Sequence, residues 1–150
     1  APDDSIVAAG VVHGAAGSAS QNTGLARFTS AGAPSSSFGA GGRVVMDMHG
    51  GSDYANGVVL QADGKIVFTG VASLADDSQS FVILGRLMSG GALDTSFGAG
   101  GVTETSLGYK DLGYVPNINS TNGTITVTGN GRATSADPSS NRWILARYFQ

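Results

Sequence analysis

The chain has 150 residues, 24 of them glycine and none cysteine, with 13% charged residues and a formal net charge of −3. The lack of cysteine removes disulfides, thiolate nucleophiles and thiolate-held metals, and an acidic balance without a basic stripe speaks against a nucleic-acid partner. No apolar run reaches the ~18 residues a membrane helix needs, and the glycines show no three-residue period, which excludes a collagen-like chain.

Taken in order, residues 6–12 form a short apolar, β-branched run and predict a first strand. Small polar residues over 14–22 predict a hairpin loop, and 23–29 predicts a second strand. A long turn over 30–42 follows, in which Phe38 is the one large apolar residue and is expected to anchor the core. Strands are expected at 43–48 and 54–61. Asp63-Gly64, set between two apolar runs, is a hairpin signal. Four more strands are expected at 65–71, 81–88, 102–107 and near 114–118, and a last pair at 124–130 and 142–149. That makes ten strands, and no stretch has helical periodicity.

The chain repeats itself. Ser37-Phe38-Gly39-Ala40-Gly41-Gly42 recurs as Ser96-Phe97-Gly98-Ala99-Gly100-Gly101, 59 positions on. An identical hexapeptide at that separation marks an internal repeat. Ile6-Val7-Ala8-Ala9-Gly10 matches Ile66-Val67-Phe68-Thr69-Gly70 and Ile125-Thr126-Val127-Thr128-Gly129. Leu25-Ala26-Arg27-Phe28 matches Leu84-Gly85-Arg86-Leu87 and Leu145-Ala146-Arg147-Tyr148. The turns Pro2-Asp3-Asp4, Ala62-Asp63-Gly64 and Thr121-Asn122-Gly123 also correspond. Residues 1–150 therefore read as one repeat domain: repeat 1 over about 1–61, repeat 2 over about 62–120 and a half repeat over about 121–150.

Gln61-Ala62-Asp63-Gly64-Lys65-Ile66-Val67, Leu93-Asp94-Thr95-Ser96-Phe97-Gly98 and Asp53-Tyr54-Ala55-Asn56 resemble the delta-60 repeat family. Those are bacterial repeats read as β-propeller blades, and the resemblance covers nearly the whole chain. Pro34-Ser35 departs from it where repeat 2 has Leu93-Asp94, and residues 109–120 align only loosely with 49–60. The expected fold is all-β, with propeller-like blades of four antiparallel strands; a β-prism or β-sandwich is the alternative.

No catalytic constellation is present: there is no Gly-x-Ser-x-Gly elbow, no phosphate-cradling glycine loop and no calcium-loop spacing. His13 and His49 stand at non-equivalent places and form no metal set, so no metal or cofactor is expected. Asn119-Ser120-Thr121 and Asn122-Gly123-Thr124 have the form of glycosylation acceptors, which carry no meaning in a bacterial protein. Arg27, Arg86 and Arg147 recur inside apolar strands and need partners, Asp94 or turn carbonyls being the expected ones. Tyr109, Tyr114 and Trp143 are the candidate platform for a sugar ring, beside Tyr54.

The expected function is non-enzymatic: a protein-interaction or structural subunit of a larger assembly, with a multivalent lectin as the alternative. The low charge, the family resemblance and a small residue followed by polar ones at Ala1-Pro2-Asp3-Asp4-Ser5 point to a secreted or periplasmic location. With blades counted as repeats, the chain holds two full blades and a two-strand hairpin. That leaves open faces and an edge to be covered. A homo-oligomer closing as a five-bladed ring, or a larger partner protein adding strands, is expected to complete the sheet. The contact is expected around Trp143, Leu145 and Tyr148.

Overall fold

A computed structural model describes residues 4–13, 21–119, 121–137 and 139–149. The expected Pro2-Asp3 start of the first turn, residues 14–20 of the first hairpin loop and Ser120 of the first sequon lie outside the described residues.

Ten strands form and no helix occurs among the described residues. They are β1 (Ile6–His13), β2 (Gln21–Phe28), β3 (Arg43–Met46), β4 (Tyr54–Leu60), β5 (Ile66–Ser73), β6 (Ser80–Leu87), β7 (Val102–Thr105), β8 (Lys110–Ile118), β9 (Ile125–Arg132) and β10 (Asn141–Tyr148). Two are shorter than their apolar runs, and the cause is the same in both. The buried Asp53 carboxylate accepts the Met48 amide at 2.6 Å, and the buried Asp111 carboxylate accepts the Leu107 amide at 2.5 Å. Each aspartate pulls the chain out of its ladder two residues after β3 or β7 ends.

The hydrogen bonding gives two sheets, neither closed: β1-β2-β3, and a seven-stranded sheet containing β4 to β10. In the larger one, β4-β5-β6-β7 is an antiparallel meander and β8-β9-β10 is another. They join through the single parallel bridge Ser80↔Lys110. The isolated parallel bridge Gln21↔Ser52 sits at the corresponding place between β2 and the chain entering β4. The fold is thus a propeller-like array of three blades with three, four and three strands. This corrects the expected count. Repeat and blade are one strand out of phase, because the fourth strand of each repeat crosses over and opens the next blade. Two full blades and a hairpin do not form.

The three central hairpins share one register. Ile6↔Phe28 to His13↔Gln21, Ile66↔Leu87 to Ser73↔Ser80, and Ile125↔Tyr148 to Arg132↔Asn141 are the same eight pairs. Alternate residues therefore point to alternate faces of each blade. On blade 2, Ile66, Phe68, Ala72, Ile83 and Leu87 pack with Leu25 and Phe38 and lie over Val7 and Ala9 of blade 1. Val67, Val82 and Leu84 pack the other way, with Ile125, Val127 and Ile144 of blade 3. Each blade thus has a leading face toward the blade before it and a trailing face toward the blade after it. Blade 2 is covered on both, and β5 is buried along its whole length.

The strand from the divergent stretch, β8, copies β4. Both carry a one-residue bulge, between Ala55 and Gly57 in β4 and between Gly113 and Pro116 in β8. Pro116 costs no strand pairing on its far side, since β8 has only β9 along its length and the single bridge to β6. The bulged residue Asn56 donates its amide to the Gly113 carbonyl at 2.8 Å and ties the two innermost strands together.

Candidate functional site

The repeated hexapeptide is a plug between blades. Phe38 is fully buried in the core between blades 1 and 2, and Phe97 is buried between blades 2 and 3. The glycines around them take positive φ in both copies: Gly39, Gly41 and Gly42 at 53°, 63° and 89°, and Gly98, Gly100 and Gly101 at 56°, 68° and 106°. The turn bonds repeat too. Gly42 N–H donates to the Phe38 carbonyl at 2.9 Å and Gly101 N–H to the Phe97 carbonyl at 2.8 Å. Left-handed glycines around one aromatic leave few alternatives, which is the physical reason the phrase is kept identical.

The recurring arginines are handled blade by blade. Arg86 Nε donates to Asp94 at 2.8 Å, Lys65 Nζ reaches the same oxygen at 3.0 Å, and the guanidinium lies 4.5 Å from the Phe97 ring centre. In blade 1 the acid is replaced by Ser35 and the lysine by Ser5. Arg27 there donates to Ser5 Oγ at 3.0 Å and to the Ser89 carbonyl at 2.9 Å. The acid and the lysine are absent together while the arginine stays, its guanidinium held there by a hydroxyl and a carbonyl instead of a carboxylate. Arg147 is exposed on β10.

Asp94 carries a pH prediction. Hydrogen bonding from the Ser96 hydroxyl, and then from Lys65, holds its carboxyl well below the ordinary carboxylate range. The Ser78 and Ser139 hydroxyls depress Asp76 and Asp137 in the same way. A depressed folded-state pKa adds stability above the unfolded value and loses it as pH falls through the folded one. Thermal melts are therefore expected to hold steady from neutral pH down to about 4 and to drop steeply below it. Asp94→Asn should lower the midpoint at pH 7 and flatten the acid limb. An acid limb unchanged in Asp94→Asn would show that the cluster does not couple to folding.

The two ends of the array are open. On the trailing face of blade 3, Trp143 is 89% exposed and Leu145 74%, while their equivalents Val82 and Leu84 on blade 2 are fully buried. On the leading face of blade 1, Ile6 is 59% exposed, against none for Ile66 and Ile125. Ala8, Gly10, Gly24 and Ala26 leave a hollow of about 280 Å³ in that face, with Val12 and Arg43 at its margin. Beside Trp143 a smaller hollow of about 190 Å³ is lined by Asn130, Asn141 and Arg142.

The residues singled out from sequence divide between these places. Trp143 and Leu145 share the open trailing face. Tyr148 does not. It stands one step out of their alternation, packs back against the core of blades 2 and 3, and its hydroxyl lies 2.7 Å from Thr105 Oγ1. Burial pushes the Tyr148 phenol above its ordinary value. Tyr114 lies in the bulge of β8 and is exposed. Its carbonyl accepts the Thr69 hydroxyl, and its own hydroxyl, after burial, helps push the Tyr54 phenol up. Tyr109 sits in the turn before β8, 5.7 Å from Lys110 Nζ. Neither tyrosine lines the hollow at Trp143. His49 contacts Glu104 at 2.9 Å and the Phe81 ring at 5.5 Å between centres. No group of three His, Asp or Glu able to hold a metal occurs among the described residues. No helix among them is long and apolar enough to cross a membrane.

Sequence reasoning passed over Asp53 and Asp111, which clasp the crossover between blades. Asp53 also accepts the Ser73 amide at 3.1 Å, and Asp111 the Gly108 amide at 3.0 Å. Their recurrence 58 positions apart was the available signal.

Three packed meanders with open ends define the class: an open, propeller-like β-repeat array. Residues 61–97 match the model of a family described as a domain of unknown function (DUF5122), beta-propeller. The matched segment runs from the turn before β5 to the phenylalanine of the second hexapeptide, and it fits the bacterial β-propeller repeats that the sequence resembles. No curated protein matches the chain.

Proposed function

We propose that the chain is a non-enzymatic β-repeat module, secreted or periplasmic, that works by protein–protein contact as an interaction or structural subunit of a larger assembly. The observation that carries this is the pair of open blade faces. Trp143, Leu145 and Ile6 are exposed where their counterparts inside the array are fully buried. Apolar surface of that kind is stabilised by burial at roughly 25 cal/mol per Å², and exposed apolar patches mark interaction sites. The displaced titrations have structural causes: turn hydroxyls at Asp76, Asp94 and Asp137, and burial at Tyr54 and Tyr148.

A photo-crosslinking amino acid at position 145, introduced in the cells that make the protein, tests the reading. Discrete protein adducts that vanish with Trp143→Asp are expected; the absence of any protein adduct would overturn it. Reproducible ester, glycoside or peptide hydrolysis by the pure chain would overturn its non-enzymatic part.

One observation favours a second reading, a carbohydrate-binding lectin. The exposed Trp143 ring shares a hollow with Asn130 and Asn141, an aromatic face beside polar side chains, which is the composition of a sugar platform. On a glycan array, binding that Trp143→Ala abolishes is the result this reading requires, and a blank array at high protein concentration rules it out.

A further inference from the structure

We infer that the trailing face of blade 3 docks on the leading face of blade 1 of a second copy of this chain, so that two copies close head to tail as six blades. This rests on the interaction reading above and names the partner.

The shared hairpin register makes the faces comparable position by position. The place of Trp143 on the trailing face is held by Thr23 in blade 1 and Val82 in blade 2, paired with Val11 and Val71 as Trp143 is with Asn130. The place of Ala8 on the leading face is held by Phe68 in blade 2 and Val127 in blade 3, paired with Gly85 and Ala146 as Ala8 is with Ala26. At the junction of blades 2 and 3 the two positions belong to one core, with Gly113 of β8 between them: a Cβ built on Gly113 would lie 2.8 Å from Val82 and 3.6 Å from Val127.

Knob and floor vary inversely along the array. A small Thr23 faces the blade whose floor is Phe68, and a medium Val82 faces the blade whose floor is Val127. The large Trp143 has no floor inside the chain, and the small Ala8 has no knob. A second position on this face also differs, and there the Val12 side chain leans over the backbone, 2.5 Å from a Cβ built on Gly24. Gly24 stands where blades 2 and 3 carry Ile83 and Ile144. The open ends thus depart from the internal junctions in opposite senses, one gaining a bulky aromatic at Trp143 and the other shrinking to a methyl at Ala8. Close packing penalises a void and an overlap alike, and this pairing removes both.

A head-to-tail contact is heterologous and must either close or run on. Closed propellers have about four to eight blades. Two of these three-blade arrays supply six blades, inside that range, and three would supply nine, outside it.

Light scattering on the pure chain at micromolar concentration is expected to give twice the 15.0 kDa chain mass. Trp143→Thr and Ala8→Phe should each weaken the dimer at least about thirtyfold, as removal of a central aromatic anchor does. The double variant recreates the Thr23–Phe68 combination of the first junction and should restore affinity to within about threefold of the parent, the coupling a double-mutant cycle reads. Circular dichroism melts of each variant check that the blades still fold. A monomer at millimolar concentration, an open ladder of masses, an unaffected Trp143→Thr or a double variant that fails to recover would each overturn the inference. A monomer in vitro that still forms a position-145 adduct with a different protein in cells overturns this pairing and leaves the interaction reading intact.

Discussion

Phe38→Ala and Phe97→Ala should each cost about 3–5 kcal/mol in urea unfolding, the usual range for deleting a buried aromatic side chain. Total stabilities are about 5–15 kcal/mol, so either change removes a large share. Both rings are closed in by blades on two sides, and the backbone around them cannot relax inward. Gly39 and Gly98 are held at positive φ, and the hexapeptide of blade 1 is bonded to the next blade through Gly39 N–H to the Gly90 carbonyl at 2.9 Å. Phe97→Ala also takes the ring from under the Arg86 guanidinium, 4.5 Å from its centre, so the Arg86–Asp94–Lys65 cluster should loosen with it. Val45→Ala, at a half-exposed position of β3, is the control and should cost under about 1 kcal/mol. Losses of that small size at both phenylalanines would show that the hexapeptide does not hold the blades together.

The internal repeat made the strands legible. All ten expected runs became strands, because in each copy the period-two apolar pattern lies between glycine turns. The phase of the blades was not legible. A repeat has the same length wherever it is cut, and nothing local in residues 54–60 says whether that strand pairs backward or forward. The answer is carried by contacts far apart in sequence: Ala55 opposite Gly70, and Asn56 reaching Gly113. Loose alignment over residues 109–120 likewise concealed that β8 keeps the bulge of β4, since a bulge is a property of pairing rather than of residue type. At the candidate site, alternation along β10 separates Trp143 and Leu145 from Tyr148 and could have been read directly. The hollow opposite could be read only once the register was known, because Ala8 and Gly24 are unremarkable until Phe68 and Ile83 are set beside them.

Gly70→Ala and Gly129→Ala are expected to destabilise by about 3 kcal/mol or more, while Gly10→Ala is neutral or stabilises by up to about 1 kcal/mol. The three glycines hold the same place in the three hairpins, opposite Ile83, Ile144 and Gly24. Their surroundings differ. A Cβ on Gly70 would overlap the Tyr54 carbonyl oxygen, and one on Gly129 the Leu112 carbonyl oxygen. In each case the innermost strand, β4 or β8, presses its bulge onto the glycine, and backbone cannot swing aside as a side chain can. A Cβ on Gly10 meets nothing within 4 Å, because β1 is the edge of its sheet. Gly10 also has ordinary negative φ, so alanine there is unstrained and gives the unfolded chain less entropy to lose. Chemical denaturation of the three variants, each carried on Trp143→Thr so that no second copy covers the hollow at Gly10, reads the contrast directly. A Gly10→Ala variant as damaged as Gly70→Ala would mean that a strand lies inside β1, and that blade 1 has four strands rather than three.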